Sequence, residues 1–147
     1  MRETSSLVKK IGYILLQVSG YLILLAGIAD FAMTFYTNAL PVQHLKYLKI
    51  KAESVSLELT ALDHAFLRAL GGCLVSIGIG TLALIYRGIR KKMKGSLVAL
   101  LCMVTIGEGV NASQMFRLGS PYFVFPLLCV MVAWIGAGLW LFGKSEA

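Results

Sequence analysis

Residues Leu62–Tyr86 read LDHAFLRALGGCLVSIGIGTLALIY. Asp63, His64 and Arg68 crowd one end of this run, and everything after Arg68 is uncharged. A helix needs about 20 mostly apolar residues to cross roughly 30 Å of hydrocarbon, and this run exceeds that. Three further runs qualify on the same ground: about residues 11–35, 96–115 and 121–142. Lipid cannot hydrogen-bond the backbone, so each span must be helical. The fold expected is an all-α, four-helix transmembrane bundle in up-down-up-down order, forming a single domain over residues 1–147.

Composition agrees. The 147 residues are 58% hydrophobic and only 14% charged, against about 45–50% and 25% in ordinary soluble domains. Mean hydropathy is +0.79. A net charge of +7 raises the question of nucleic acid. The densest basic cluster, Arg87, Arg90, Lys91, Lys92 and Lys94, lies between two spans, where it acts as a topology signal facing anionic headgroups. No aromatic-interleaved basic face accompanies it, so no nucleic-acid partner is expected. Cys73, Cys102 and Cys129 all fall within apolar runs, without CxxC or Cys/His metal spacing. With two histidines in total, neither a metal nor another cofactor is expected.

The first span is read as retained, because its apolar run far exceeds a signal peptide's 7–15 residues. Basic residues set orientation. Arg2, Lys9, Lys10, the Arg87–Lys94 cluster and Lys144 mark one side. The other side carries Lys46, Lys49, Lys51 and Arg117, partly offset by Glu53 and Glu58. Both termini are therefore expected in the cytoplasm, with Tyr13, Tyr86 and Trp140 at the inner boundary and Tyr36 and Tyr122 at the outer one. In the external segment 37–61, LKIKA and SVSLELT alternate apolar and polar residues around Glu53-Ser54. That pattern suggests a short β-hairpin, with an amphipathic segment or coil at headgroup level as the alternative.

Ionisable residues inside a span are costly and need a partner or a function. At 1.5 Å per residue, Asp30 lies roughly 8 Å below the outer boundary, His64 and Arg68 roughly 3 and 9 Å, and Glu108 roughly 10 Å. Three helices thus place polar groups at one level. His64, Arg68, Gly71, Val75 and Gly78 follow 4-3-4-3 spacing, as do Leu101, Val104, Glu108, Asn111 and Met115; Asp30 shares a face with Gly27, Ile23 and Gly20. Glycines on such faces allow close backbone approach. A second small-residue ridge, Gly72, Ser76 and Gly80, suits another span or a second copy.

The ligand-binding reading joins Arg68 and Glu108 as an ion pair, with Asp30, His64 and Asn111 around it and Phe31, Phe66, Met115 and Phe123 as walls. The bland reading is an Arg68–Glu108 pair that only fixes helix register. The catalytic reading takes Glu108 or Asp30 as acid and His64 as base. Asp63 suits a cap at the start of span two. Gly107-Glu108-Gly109-Val110-Asn111-Ala112 matches GxGxxA by letter, but no strand precedes it and no helix starts there. Asn111-Ala112-Ser113 is a glycosylation sequon by letter, in a place where it should go unused.

The stretch LDHAFLRALGGCLVSIGIGTLALIYRGIR, residues 62–90, resembles the second span of small bacterial four-span proteins of unknown function in the DoxX-like group. Their helix opens on a pattern like N-x-F-R-A-x-G-G; here it reads His64-Ala65-Phe66-Leu67-Arg68-Ala69-Leu70-Gly71-Gly72. RLGSPY, Arg117–Tyr122, is similar to a shortened form of their R-x-x-S-x-x-x-x-G-x-P region. The chain departs from the group at Leu67, an extra residue before the arginine, and in its long external segment. The resemblance implies a four-span fold in the bacterial inner membrane. The wider group includes subunits of quinone-linked oxidoreductases, and related four-span folds include sterol isomerases and sterol-binding receptors with acidic residues inside the bundle. Here only Asp30 and Glu108 are available for that part.

The function expected is a small integral membrane protein that binds a lipophilic molecule, or a partner membrane subunit, at a polar site in the outer half of the bundle. The alternatives are a membrane enzyme acting by acid/base chemistry on a lipid, quinone or sterol-like substrate, and a structural subunit or homo-oligomer.

Overall fold

A computed structural model of the chain describes residues 2–37 and 39–143, with side chains from Leu7 onward. Lys144 and the side chain of Arg2, both used above for orientation, lie outside the described residues. The described chain is all-helical: α1 (Arg2–Tyr36), α2 (Val42–Leu48), α3 (Leu57–Ala83), α4 (Ser96–Arg117) and α5 (Val124–Phe142). Short 3₁₀ turns at Ala52–Ser54 and Pro121–Phe123 precede α3 and α5, and α3 runs on into a π-turn at Leu84–Ile89. Four helical segments are long and apolar enough to cross a membrane: Leu7–Tyr36, Leu57–Ile89, Ser96–Arg117 and Pro121–Phe142.

The segment 37–61, expected to be external, forms no strand among the described residues, which corrects the expected hairpin. Ser56 takes an extended conformation and its hydroxyl accepts from the Leu59 amide at 3.2 Å, capping α3. With that cap in place, the good helix formers Leu57, Glu58 and Leu59 join the helix instead of alternating in a strand. Span two therefore starts before Leu62. Asp63, the expected cap, lies within the second turn. Ahead of it, Pro41 starts α2 and the left-handed Lys49 (φ 55°) ends it.

α1 is the hub. It packs most extensively against α3 and α5, whereas α4 rests mainly on α5 and only lightly on α3. Both large contacts are antiparallel and close. Along α1–α3, Gly71 faces Phe31, Gly27 faces Val75, and Gly78 faces Leu24. Along α1–α5, Gly12 faces Gly136 and Trp140, and the Ser19 hydroxyl donates to the Cys129 carbonyl at 3.0 Å. The Trp134 indole donates to Thr105 at 3.0 Å, joining α5 to α4. Lipid tails are as apolar as leucine, so association rests on packing and such hydrogen bonds, and small residues set how close the backbones come.

Leu16, Ile23, Leu74, Ile85, Leu100, Val104, Cys129 and Ala133 fill the interior. Large apolar side chains such as Leu25, Val98, Ile106 and Leu141 face outward, each at least 60% exposed. A water-soluble protein would not present such a surface; a bilayer solvates it.

The glycine seam yields a contrast. A Cβ at Gly78 would lie 2.7 Å from the Leu24 backbone, whereas one at Gly72 would meet nothing within 4 Å. Gly78→Val is expected to cost about 3 kcal/mol or more through overpacking. Gly72→Ala is expected to be neutral or to stabilise by about 0.5–1 kcal/mol through helix propensity. Unfolding in mixed micelles measures both.

Candidate functional site

The α4 face running Leu100, Val104, Glu108 and Asn111 is buried throughout, with Glu108 only 2% exposed. Gly107 beside it packs on the Ile77 side chain of α3. Asn111, one turn on, donates to Glu108 Oε2 at 3.5 Å, a long hydrogen bond. Glu108 Oε1 is buried with no hydrogen-bond partner among the described residues. Asp30 of α1 is half-buried, and Cys129 of α5 is buried. Glu108 is thus a buried and under-satisfied carboxyl group. A buried acceptor left empty costs about 1–3 kcal/mol.

Arg68 does not pair with this carboxyl group: the expected Arg68–Glu108 ion pair is absent among the described residues. The Arg68 Nε donates to Thr34 Oγ1 at 3.0 Å, and a terminal nitrogen donates to the Thr34 carbonyl at 3.4 Å. Its guanidinium carbon lies 4.8 Å from the centroid of the Phe35 ring, within cation–π range. The Thr34 hydroxyl in turn donates to the Phe31 carbonyl at 2.8 Å. The cause is the seam itself. Arg68 shares a face with Gly71, Val75 and Gly78, and that face is pressed against α1. Its side chain therefore runs along the last turn of α1, where carbonyls lack intrahelical partners and a cation is favoured.

His64 is buried one turn from Arg68 toward the start of α3 and makes no hydrogen bond among the described residues. Neither it nor Asp30 hydrogen-bonds to Glu108, so the imidazole and carboxylates of the catalytic reading are not linked. The histidine that does find a carboxylate is His44. Its Nδ1 lies 2.6 Å from Asp63 Oδ1, the only ion pair among the described residues, and this contact fastens α2 over the start of α3. Sequence reasoning missed it, because a separation of 19 residues across an irregular segment carries no periodic signal. Of the expected walls, Phe66 is 68% exposed and turned outward, and Phe123 packs edge-on against Phe116.

Gly72 and Ser76 face open space, and the Ser76 hydroxyl turns back to the Gly72 carbonyl at 2.9 Å. Gly80 instead meets Met103 of α4. No group of three or more His, Cys, Asp or Glu residues suited to a metal occurs among the described residues. The chain matches no family model, no curated protein and no solved structure.

Replacing the under-satisfied carboxyl by an apolar group of similar size, Glu108→Met, is expected to hold or raise stability, by up to about 3 kcal/mol. Because Arg68 and Glu108 do not touch, Arg68→Gln and Glu108→Met should be additive within about 0.5 kcal/mol in a double-mutant cycle. A coupling above about 1 kcal/mol would restore the ion pair.

Proposed function

We propose that this chain is a four-span membrane protein that binds a lipophilic molecule by its polar head in the outer half of the bundle, with Glu108 as the anchor. The observation that carries this reading is the buried, unpartnered Glu108 Oε1. An ionisable group at such depth is costly and calls for a partner, and a hydroxyl or amide N–H on a bound molecule would supply the missing hydrogen bond. Asn111 holds the other carboxyl oxygen. Such a molecule reaches the site sideways through the bilayer. Lipids, quinones and sterol-like compounds have suitable chemistry.

Arg68 has no direct part in this version. It braces the end of α1, and its role is to keep α1 and α3 in register. The catalytic alternative is less well supported, because no imidazole meets either carboxylate. The antiparallel registers of α1 with α3 and α5 favour an up-down-up-down path. Lys9, Lys10 and Arg90 gather at the Trp140 end of the bundle, which favours cytoplasmic termini in a bacterial inner membrane. The reading sits beside the DoxX-like proteins that the second span resembles and takes no activity from them. The outward Gly72 and Ser76 suit a second copy or a partner subunit, and such a contact is compatible with ligand binding.

Native mass spectrometry of the full chain in mild detergent, with solvent extraction of co-purified lipophiles, tests the proposal. The wild type and Arg68→Gln are expected to retain the same lipophile, and Glu108→Met is expected to lose it while remaining folded. Equal retention by Glu108→Met, or no retained molecule in any form, would overturn the reading.

A further inference from the structure

A second feature lies at the opposite end of the bundle. A groove of about 430 Å³ is lined by Lys10, Tyr13 and Gln17 of α1, Tyr86 and Arg90 around the π-turn, and Trp140 of α5. Two cations, two phenols, an amide and an indole thus line one concavity, and no carboxylate among them neutralises Lys10 or Arg90.

The groove is built by specific contacts. Gln17 donates to the Tyr86 hydroxyl at 2.7 Å, and the Tyr86 and Tyr21 hydroxyls lie 3.1 Å apart. Tyr86 is thereby held against α1 with its hydroxyl in a polar relay. Tyr13 and Trp140 pack with ring centroids 5.7 Å apart and close one wall. Lys9 stands 4.6 Å from the Trp140 ring centroid and adds a third cation at the rim. The π-turn sets the other wall: the Arg90 amide reaches back five residues to the Ile85 carbonyl at 3.1 Å. Such wide turns re-aim the side chains that follow and are frequent at functional sites. Gly88 in that turn sits directly against Ser96 at the start of α4.

The apolar surroundings continue in one direction. Tyr21, Leu25 and Ile28 carry the same face of α1 away from the groove toward the middle of the membrane, and all are at least 47% exposed. An occupant with a compact anionic head and long apolar tails would put its head between Lys10 and Arg90 and its tails along that face. Free phosphate would use only the first half of this surface.

We propose that this groove is a binding site for an anionic phospholipid headgroup, with Lys10 and Arg90 on the phosphate, and Gln17 and Tyr86 as neutral hydrogen-bonding groups. It is separate from the Glu108 site in position and in ligand chemistry, so either can fail without the other.

The test is native mass spectrometry of the full chain in mild detergent. The chain is titrated with phosphatidylglycerol, with phosphatidylcholine of the same acyl chains, and with inorganic phosphate. The wild type is expected to prefer phosphatidylglycerol. Lys10→Gln/Arg90→Gln should lose about fivefold in that preference for each cation removed, and Tyr86→Phe should weaken it without a change in charge. Arg87→Gln/Lys91→Gln removes as much charge from the same cluster but from outside the groove, and should leave the preference intact. Equal losses in the two double variants would reduce the effect to diffuse surface attraction and overturn the site. So would the absence of a headgroup preference, or displacement of the lipid by inorganic phosphate at equal concentration. Lys10 and Arg90 are exposed, and the Lys10→Gln single variant keeps the test readable should the double variant fold poorly.

Discussion

The structure depends on the fit of α1, backbone to backbone, against α3 and α5. Burial of apolar surface does little to drive helices together in lipid, because the surroundings are equally apolar. What remains is shape. Gly27, Gly71 and Gly78 let α1 and α3 meet without intervening side chains, and Gly12 and Gly136 do the same for α1 and α5. This fit decides where the polar residues go. A residue on the α3 seam is aimed along α1, and one on the inner face of α4 is aimed into the core.

Arg68 and Glu108 follow from that division. They lie at similar depth in the sequence reading, and opposite charges at one depth invite pairing. Helix faces outweigh depth here. Arg68 is satisfied by Thr34 and Phe35 on α1, whereas Glu108 keeps only a long bond to Asn111. The asymmetry gives the bundle one stabilised charge with a structural task and one expensive carboxyl group without such a task. The second is the natural place to look for a ligand. The basic end of the molecule is organised differently. There the cations stand beside aromatic rings and a hydroxyl relay.

Much of the fold was legible in the residues. Apolar run length located four spans, because the bilayer imposes a minimum that few other structures share. The close faces of α1 and α3 were legible too, since glycine at 4-3 spacing has few other uses in a membrane helix. The external segment was not. Alternation over LKIKA and SVSLELT fits a strand, yet the single cap at Ser56 converts its second half into helix. Partner identity was also out of reach. Periodicity told which residues share a face with Arg68 but not which helix that face would meet. The His44–Asp63 contact, the π-turn at Leu84–Ile89 and the Gly12–Gly136 crossing depend on tertiary placement and leave no periodic trace.

The proposed up-down-up-down path has one consequence for the whole chain: it puts the loop before α3 and the end of α4 on one side of the membrane and the Arg87–Lys94 corner on the other. Single cysteines at Glu53, Arg117 and Lys91, in a variant with Cys73, Cys102 and Cys129 replaced, can be probed with a membrane-impermeant maleimide. Labelling of the Glu53 and Arg117 positions in intact cells, with the Lys91 position labelled only after permeabilisation, is the expected result. Labelling of Glu53 and Arg117 from opposite sides, or of Lys91 from the same side as both, would contradict the four-crossing bundle.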